Sequence, residues 1–164
     1  MKLGIISAMD SEHRQLADRL QDKREVTDGR FCYVEGTLAG NQVVLTQCGI
    51  GKVNAAVGTA ELIRRYRPDC IISTGVAGGI DNCLQVTAVV DHDVWCSMGN
   101  EYGQVQGLPL FFEGYAPLLQ HALSLNEAGL ESRIHGGLIC TGDQFIEDKQ
   151  QLATIKGHCS DGLA

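Results

Sequence analysis

The stretch "CGIGKVNAAVG", residues 48–58, sets a glycine and then a glycine-lysine pair between the apolar run "VVLTQ" and an amphipathic pattern. Backbone N–H groups at such a strand-to-helix turn can cradle a phosphate. A P-loop requires G-x-x-x-x-G-K followed by Ser or Thr, because that hydroxyl holds magnesium. Here Val53 follows Lys52, and Thr46 stands where the first glycine belongs. A dinucleotide fingerprint requires G-x-G-x-x-G, and Asn54 occupies the place of its third glycine. Neither phosphate motif is encoded. Two other stretches share the position just after a short apolar run: "SAMDSE", with the carboxylates Asp10 and Glu12, and "STGVAGGI".

The elements that must position these stretches alternate. "KLGIIS", "CIISTG", "VTAVVDHDVW" and "GGLICTG" read as strands, and "FCYVEGTLAGNQVVLTQC" as a hairpin turning at 38–41. Their continuous apolar runs predict a sheet covered on both faces. "DSEHRQLADRL" reads as a helix capped by Asp10, with Leu16, Ala17 and Leu20 facing inward. "KVNAAVGTAELIRRYR" reads as a second helix, with Val53, Ala56, Val57, Ala60 and Ile63 along its apolar side and Pro68 as its stop. "APLLQHALSLNEAG" and the weaker "DKQQLATIKG" supply two more. The order is strand, helix, hairpin, helix, strand, strand, helix, strand, helix. That order predicts an α/β protein, a single domain with a central mixed β-sheet flanked by helices. Ligands in such sheets sit beyond the carboxyl ends of the strands, so the three glycine- and acid-bearing loops are expected to meet at one pocket.

Composition narrows the function. The 164 residues suit one domain. Lys plus Arg number 13 against 20 Asp plus Glu, a net charge of −7, which argues against a nucleic-acid binder with a basic stripe. The run Arg64-Arg65-Tyr66-Arg67 fits the C-terminal end of a helix, where cations favour the dipole. No apolar run is long enough to span a membrane, and "MKLGIISAMD" reads as a first strand rather than a signal peptide. The seven cysteines show no C-x-x-C spacing, and most stand in apolar runs. Reduced, mostly buried thiols in a cytoplasmic protein are expected. The five histidines show no metal-ligand spacing.

"KLGIISAMDSEHRQL", "CGIGKVNAA", "IISTGVAGGI", "NEYGQVQGLP" and "GLICTGDQFI", in this order, resemble the 5′-methylthioadenosine/S-adenosylhomocysteine nucleosidases. "GIGKVNAA" and "TGVAGG" also have cousins in the wider purine nucleoside phosphorylase superfamily. The resemblance implies hydrolysis of the N-glycosidic bond of an adenine nucleoside, with adenine released and no metal or organic cofactor. The transition state resembles an oxocarbenium ion, with charge building on ribose and on the departing base. By resemblance Glu12 is the water-activating carboxylate. The chemistry is sound, since a carboxylate at a helix start is held by free N–H groups and takes a proton from a positioned water. The plain alternative is a first-turn acid with no further task. The resemblance also implies that Met9 lies near the ribose and that Ile50 forms an apolar wall for the 5′ group. Val76, Ala77 and Gly78 become the turn that lets the nucleoside approach backbone. Phe145 stacks on adenine, and Ile146 bonds it through backbone. Pro109 reaches a neighbouring subunit's pocket, which implies a homodimer.

The sequence also departs from the family. Past "CSDGLA" the family has an acid-Met-Glu run that binds ribose hydroxyls and a Ser-Asp-x-Ala-Asp run that protonates the base, and neither is present. Asp161 is no substitute, and Asp143 is expected to shape its loop. Residues 1–164 are thus expected to form the family's α/β domain without its C-terminal part, and to turn nucleoside over poorly by themselves. Relatives also carry a longer strand and turn before His92. Two other readings stand beside the hydrolase. A nucleoside phosphorylase would need an arginine-rich phosphate site, and the strand-end loops carry only Arg14. A non-catalytic nucleoside-binding or dimer-forming chain is the other.

Overall fold

The structure, a computed structural model, describes residues 1–79, 88–96, 111–128, 134–141 and 146–158. The chain divides into two compact units, Met1–Val76 and Ala77–Ala164.

The first unit runs β1 (Lys2–Ser7), α1 (Asp10–Ala17), β2 (Gln21–Asp28), β3 (Phe31–Leu38), β4 (Asn41–Gln47), α2 (Lys52–Tyr66) and β5 (Cys70–Ser73). Its five strands form one mixed sheet in the order β2-β3-β4-β1-β5. The β2, β3 and β4 strands are an antiparallel meander. β1 runs parallel to both β4 and β5. The "VVLT" run of β4 is buried throughout because its side chains alternate between two cores. Val43 and Leu45 join Ile5, Leu20 and Val34 on one face, packed by Leu16 and Ala17 of α1. Val44 joins Tyr33 and Leu62 of α2 on the other.

Several expectations need correction. The charged strand β2, "QDKREVTD", was not expected. It is the exposed edge of the sheet, where charge blocks further pairing. In α2 the expected inner stripe faces outward: Val53, Val57 and Ile63 are 77%, 39% and 48% exposed, while Gly58 and Leu62 are buried. The physical reason is close approach. A Cβ at Gly58 would stand 2.7 Å from the Cβ of Cys48, so only glycine lets this side of the helix lie against the loop after β4. Helix α1 ends at Ala17, and Leu20 enters the core from the link to β2. Cys32, Cys48 and Cys70 are free thiols, but Cys32 is exposed and the other two, like Cys140, are half-buried, against the expected burial. Cys32 lies beside the turn at 29–30, at the open end of β3.

The second unit runs β6 (Ala88–Cys96), β7 (Phe111–Glu113), α3 (Ala116–Ser124), a 3-10 turn (Leu125–Ala128), β8 (Ile134–Thr141) and α4 (Lys149–His158). Its strands pair in the order β7-β6-β8. The parallel β6–β8 ladder shifts register between Asp91 and Asp93, at His92. The short β7 was also unexpected. Asn126 closes the turn into β8, exchanging two side-chain hydrogen bonds of 2.8 Å with the backbone of Ile134. The stretch before β6, where a shorter strand and turn than in relatives is expected, lies outside the described residues.

Candidate active site

Parallel pairing brings three loops to one end of the first unit. Ser7 is level with Gln47, and Ile6 with Ser73, so β1, β4 and β5 finish side by side. Two backbone bonds carry the alignment past the strands: Cys48 N–H donates to Ser7 O at 2.9 Å, and Thr74 N–H to Ile6 O at 3.0 Å. "SAMDSE", "CGIGKVN" and "STGV" therefore share the carboxyl ends of adjacent strands, as the order of elements predicts.

Glu12 ties two of these loops together. Met9, in extended conformation, is the N-cap of α1, and Glu12 is the third residue of the helix. The Glu12 carboxylate turns back so that Oε2 accepts from the N–H groups of Met9 at 2.9 Å and Ala8 at 3.1 Å. This is the acidic half of a capping box. Its Oε1 accepts from Val76 N–H at 2.8 Å, across 64 residues of sequence. The capping role expected of Asp10 belongs to Glu12. Asp10 stands at the first helical position, where it pairs with Arg14 at 2.7 Å on the exposed surface.

The loop after β4 has a different architecture. Gly49 and Gly51 take φ of 92° and 98°, a region that favours glycine. Between them Ile50 is 71% exposed. Asn54 reaches back from the first turn of α2, its Nδ2 donating to Ile50 O at 2.7 Å. The glycines thus serve a turn that presents an apolar side chain.

Two titratable groups border this end. Burial holds the His13 imidazole below its usual pKa, against the pull of Asp10 and Glu25. Its Nδ1 is buried without a hydrogen-bond partner among the described residues. Burial pushes the Cys48 thiol up, its backbone hydrogen bond opposes this, and nearby Glu12 adds to the rise. Its Sγ donates to the carbonyls of Gly49 and Ser7 at 3.1 and 3.3 Å. A thiol kept protonated is a poor nucleophile.

Met9, Glu12, Ile50 and Val76 thus lie on neighbouring strand ends of one unit. Val76 is 77% exposed. Ala77 and Gly78 are exposed and open the second unit. Among the described residues a Cβ on Gly78 or Gly79 would meet nothing within 4 Å, whereas one on Gly75 would stand 2.9 Å from Glu12 Oε1. Ile146 is half-buried ahead of α4. Phe145, Pro109, Asp143 and Asp161 lie outside the described residues. Sequence reasoning overlooked Ala8, Asn54 and Gly75. Gly75 sits within the quoted "STGVAGGI" run and Asn54 within "CGIGKVN", but only geometry gives either a task. An open polar hollow bounded by Met1, Lys2, Gly40, Gln42, Arg67 and Asp69 lies at the amino-terminal end of β1, away from these loops.

A carboxylate strung between loops at the carboxyl ends of parallel strands stands where α/β proteins bind their ligands. Residues 2–156 match the family model of the phosphorylase superfamily. A 5′-methylthioadenosine/S-adenosylhomocysteine nucleosidase of Exiguobacterium sp. (strain ATCC BAA-1283 / AT1b) is 42% identical, over 100% of this chain and 73% of the relative. One of Bacillus thuringiensis (strain Al Hakam) is 39% identical, over 95% of this chain and 71% of that relative. The crystal structure of the Neisseria meningitidis nucleosidase in complex with methylthio-immucillin-A aligns with a TM-score of 0.91 at 34% identity, covering 99% of this chain and 74% of that one. The Colwellia psychrerythraea 34H nucleosidase in complex with adenine aligns at 0.88 and 32%, covering 100% and 71%. The chain belongs to the phosphorylase superfamily and, within it, to the 5′-methylthioadenosine/S-adenosylhomocysteine nucleosidase family.

Proposed function

We propose that this protein hydrolyses the N-glycosidic bond of 5′-methylthioadenosine and S-adenosylhomocysteine and releases adenine. The observation that carries the reading is the Glu12 carboxylate, held by N–H groups of two loops at the carboxyl ends of β1 and β5. In this reading Glu12 takes a proton from water as the water oxygen bonds to the anomeric carbon. The bond from that carbon to the base breaks, its electron pair goes to adenine, adenine takes a proton from solvent as it leaves, and Glu12 returns its proton to solvent. Holding the carboxylate rigidly limits the reorganisation needed at the moment of reaction. Met9 lies beside the ribose, and Ile50, exposed on its glycine-flanked turn, lines the 5′ substituent. Backbone at Val76, Ala77 and Gly78 approaches the nucleoside, and Phe145 and Ile146 hold adenine. Residues 1–164 act as one α/β domain, a reading supported by structural likeness that runs through both units.

The protein works as a homodimer, with Pro109 reaching the partner's pocket. The outward apolar stripe of α2, Val53, Val57 and Ile63, supports such a partner. The free thiols fit a cytoplasmic enzyme, and its product chemistry fits methionine salvage. Phosphorolysis is disfavoured, because Arg14, the arginine of these loops, is engaged by Asp10.

Product analysis tests the reading. Protein expressed from its complete reading frame is incubated with 5′-methylthioadenosine, with and without phosphate. Adenine and free methylthioribose at a phosphate-independent rate are expected. A phosphorylated sugar, or release that needs phosphate, would replace hydrolysis with phosphorolysis. Binding without turnover would leave a nucleoside-binding protein.

A further inference from the structure

A carboxylate offers about four acceptor sites, two on each oxygen. In Glu12 three are taken among the described residues: two on Oε2, by Ala8 and Met9 N–H, and one on Oε1, by Val76 N–H. The remaining site is therefore on Oε1. Gly75 lies beside that oxygen. A Cβ built there would be 2.9 Å from Oε1, 3.2 Å from the carboxyl carbon and 3.3 Å from Oε2, and these are its three nearest neighbours. The backbone of Gly75 is not among the positive-φ positions, and the residue is exposed. Neither strain nor core packing calls for glycine here. The three atoms nearest an added methyl all belong to the end of one side chain, Glu12.

We propose that Gly75 is a positioning residue for the hydrolytic reaction. Its bare α-carbon leaves Oε1 of Glu12 in the geometry set by the three N–H groups, with the fourth acceptor site open to the reacting water. The proposal rests on the reading of Glu12 as the water-activating carboxylate. A methyl at 75 displaces a flexible side chain rather than backbone, so the fold yields locally and survives. The carboxylate then loses its bond to Val76 or has its open site covered. A misplacement of about 1 Å in such a group costs on the order of 10² in rate. Substrate contacts made elsewhere are untouched, so the loss falls on kcat and leaves KM nearly unchanged.

The test compares Gly75→Ala, Glu12→Ala and the double variant in the full-length protein. The measurements are kcat and KM for 5′-methylthioadenosine, and the melting temperature. Gly75→Ala is expected to lower kcat about 10²-fold with KM within about threefold, since substrate binding is uniform before and after. Added to Glu12→Ala, it is expected to lower the residual rate no further, because it acts only through that side chain. Three results would overturn the proposal: full activity in Gly75→Ala, a loss that multiplies in the Glu12→Ala background, or a Gly75→Ala protein that fails to fold. If Glu12→Ala itself keeps its activity, the error lies in the role given to Glu12, and the proposal falls with it.

Discussion

Replacing Glu12 by glutamine separates what its carboxylate does for the fold from what it does for the reaction. Glutamine keeps the length of the side chain but only one acceptor oxygen. With that oxygen turned to Ala8 and Met9, the amide nitrogen faces the Val76 N–H, and donor meets donor. With it turned to Val76, two donors are abandoned instead. The first arrangement loses less, one hydrogen bond to a charged acceptor, worth about 1.5–3 kcal/mol when buried. Glu12 is half-buried, so about 1–2 kcal/mol is a fair figure after allowing for solvent. For a chain of this size that lowers Tm by roughly 2–8 °C. Domains have about 5–15 kcal/mol to lose, so the variant remains folded at 25 °C. Loss of a general base costs about 10² to 10⁴ in rate, or about 3–5 kcal/mol of barrier. The two effects therefore differ in size and in readout. Adenine release from 5′-methylthioadenosine measures one, and a circular-dichroism melt the other. Activity within tenfold of the parent would refute Glu12 as the residue that activates water. An unchanged Tm would refute the clamp between the loops.

Glu substituted at Val57 and Ile63 together is expected to convert the proposed dimer to monomer in light scattering, because both side chains are exposed on the outer side of α2; a dimer of unchanged mass would move the interface elsewhere. His13 has its pKa lowered by burial from the ordinary 6.5. The unfolded chain then binds the proton first, so stability is full above pH 6.5 and falls as pH drops below it. His13→Gln is expected to flatten this fall in urea titrations below pH 6.5, and parallel curves would contradict the assignment. Leu62→Ala is expected to cost about 2–5 kcal/mol in the same titrations, since Leu62 is fully buried between α2 and the sheet; a loss below about 1 kcal/mol would mean that the helix resettles into the space.

The parts of this fold that the sequence announces are those whose burial leaves a pattern. β1 and β4 read as continuous apolar runs because both faces of their sheet are covered. The edge strand β2 has no such pattern. It is a strand because β3 pairs with it, and its own residues are mostly charged and exposed. Helix α2 shows a subtler failure. Its apolar periodicity is real, but Gly58, the residue that selects the inner face, carries no hydropathy signal. The site was legible to a similar depth. An acid in the first turn of a helix could be read either as a cap or as a catalytic group, and composition favours the cap. The geometry shows why that choice could not be made from local sequence. The same carboxylate caps α1 through Met9 and Ala8 and reaches a loop 64 residues away through Val76. Capping fixes one oxygen and the long-range bond orients the other. The structural role gives the carboxylate a fixed direction, so capping α1 and the proposed work on water call for the same arrangement.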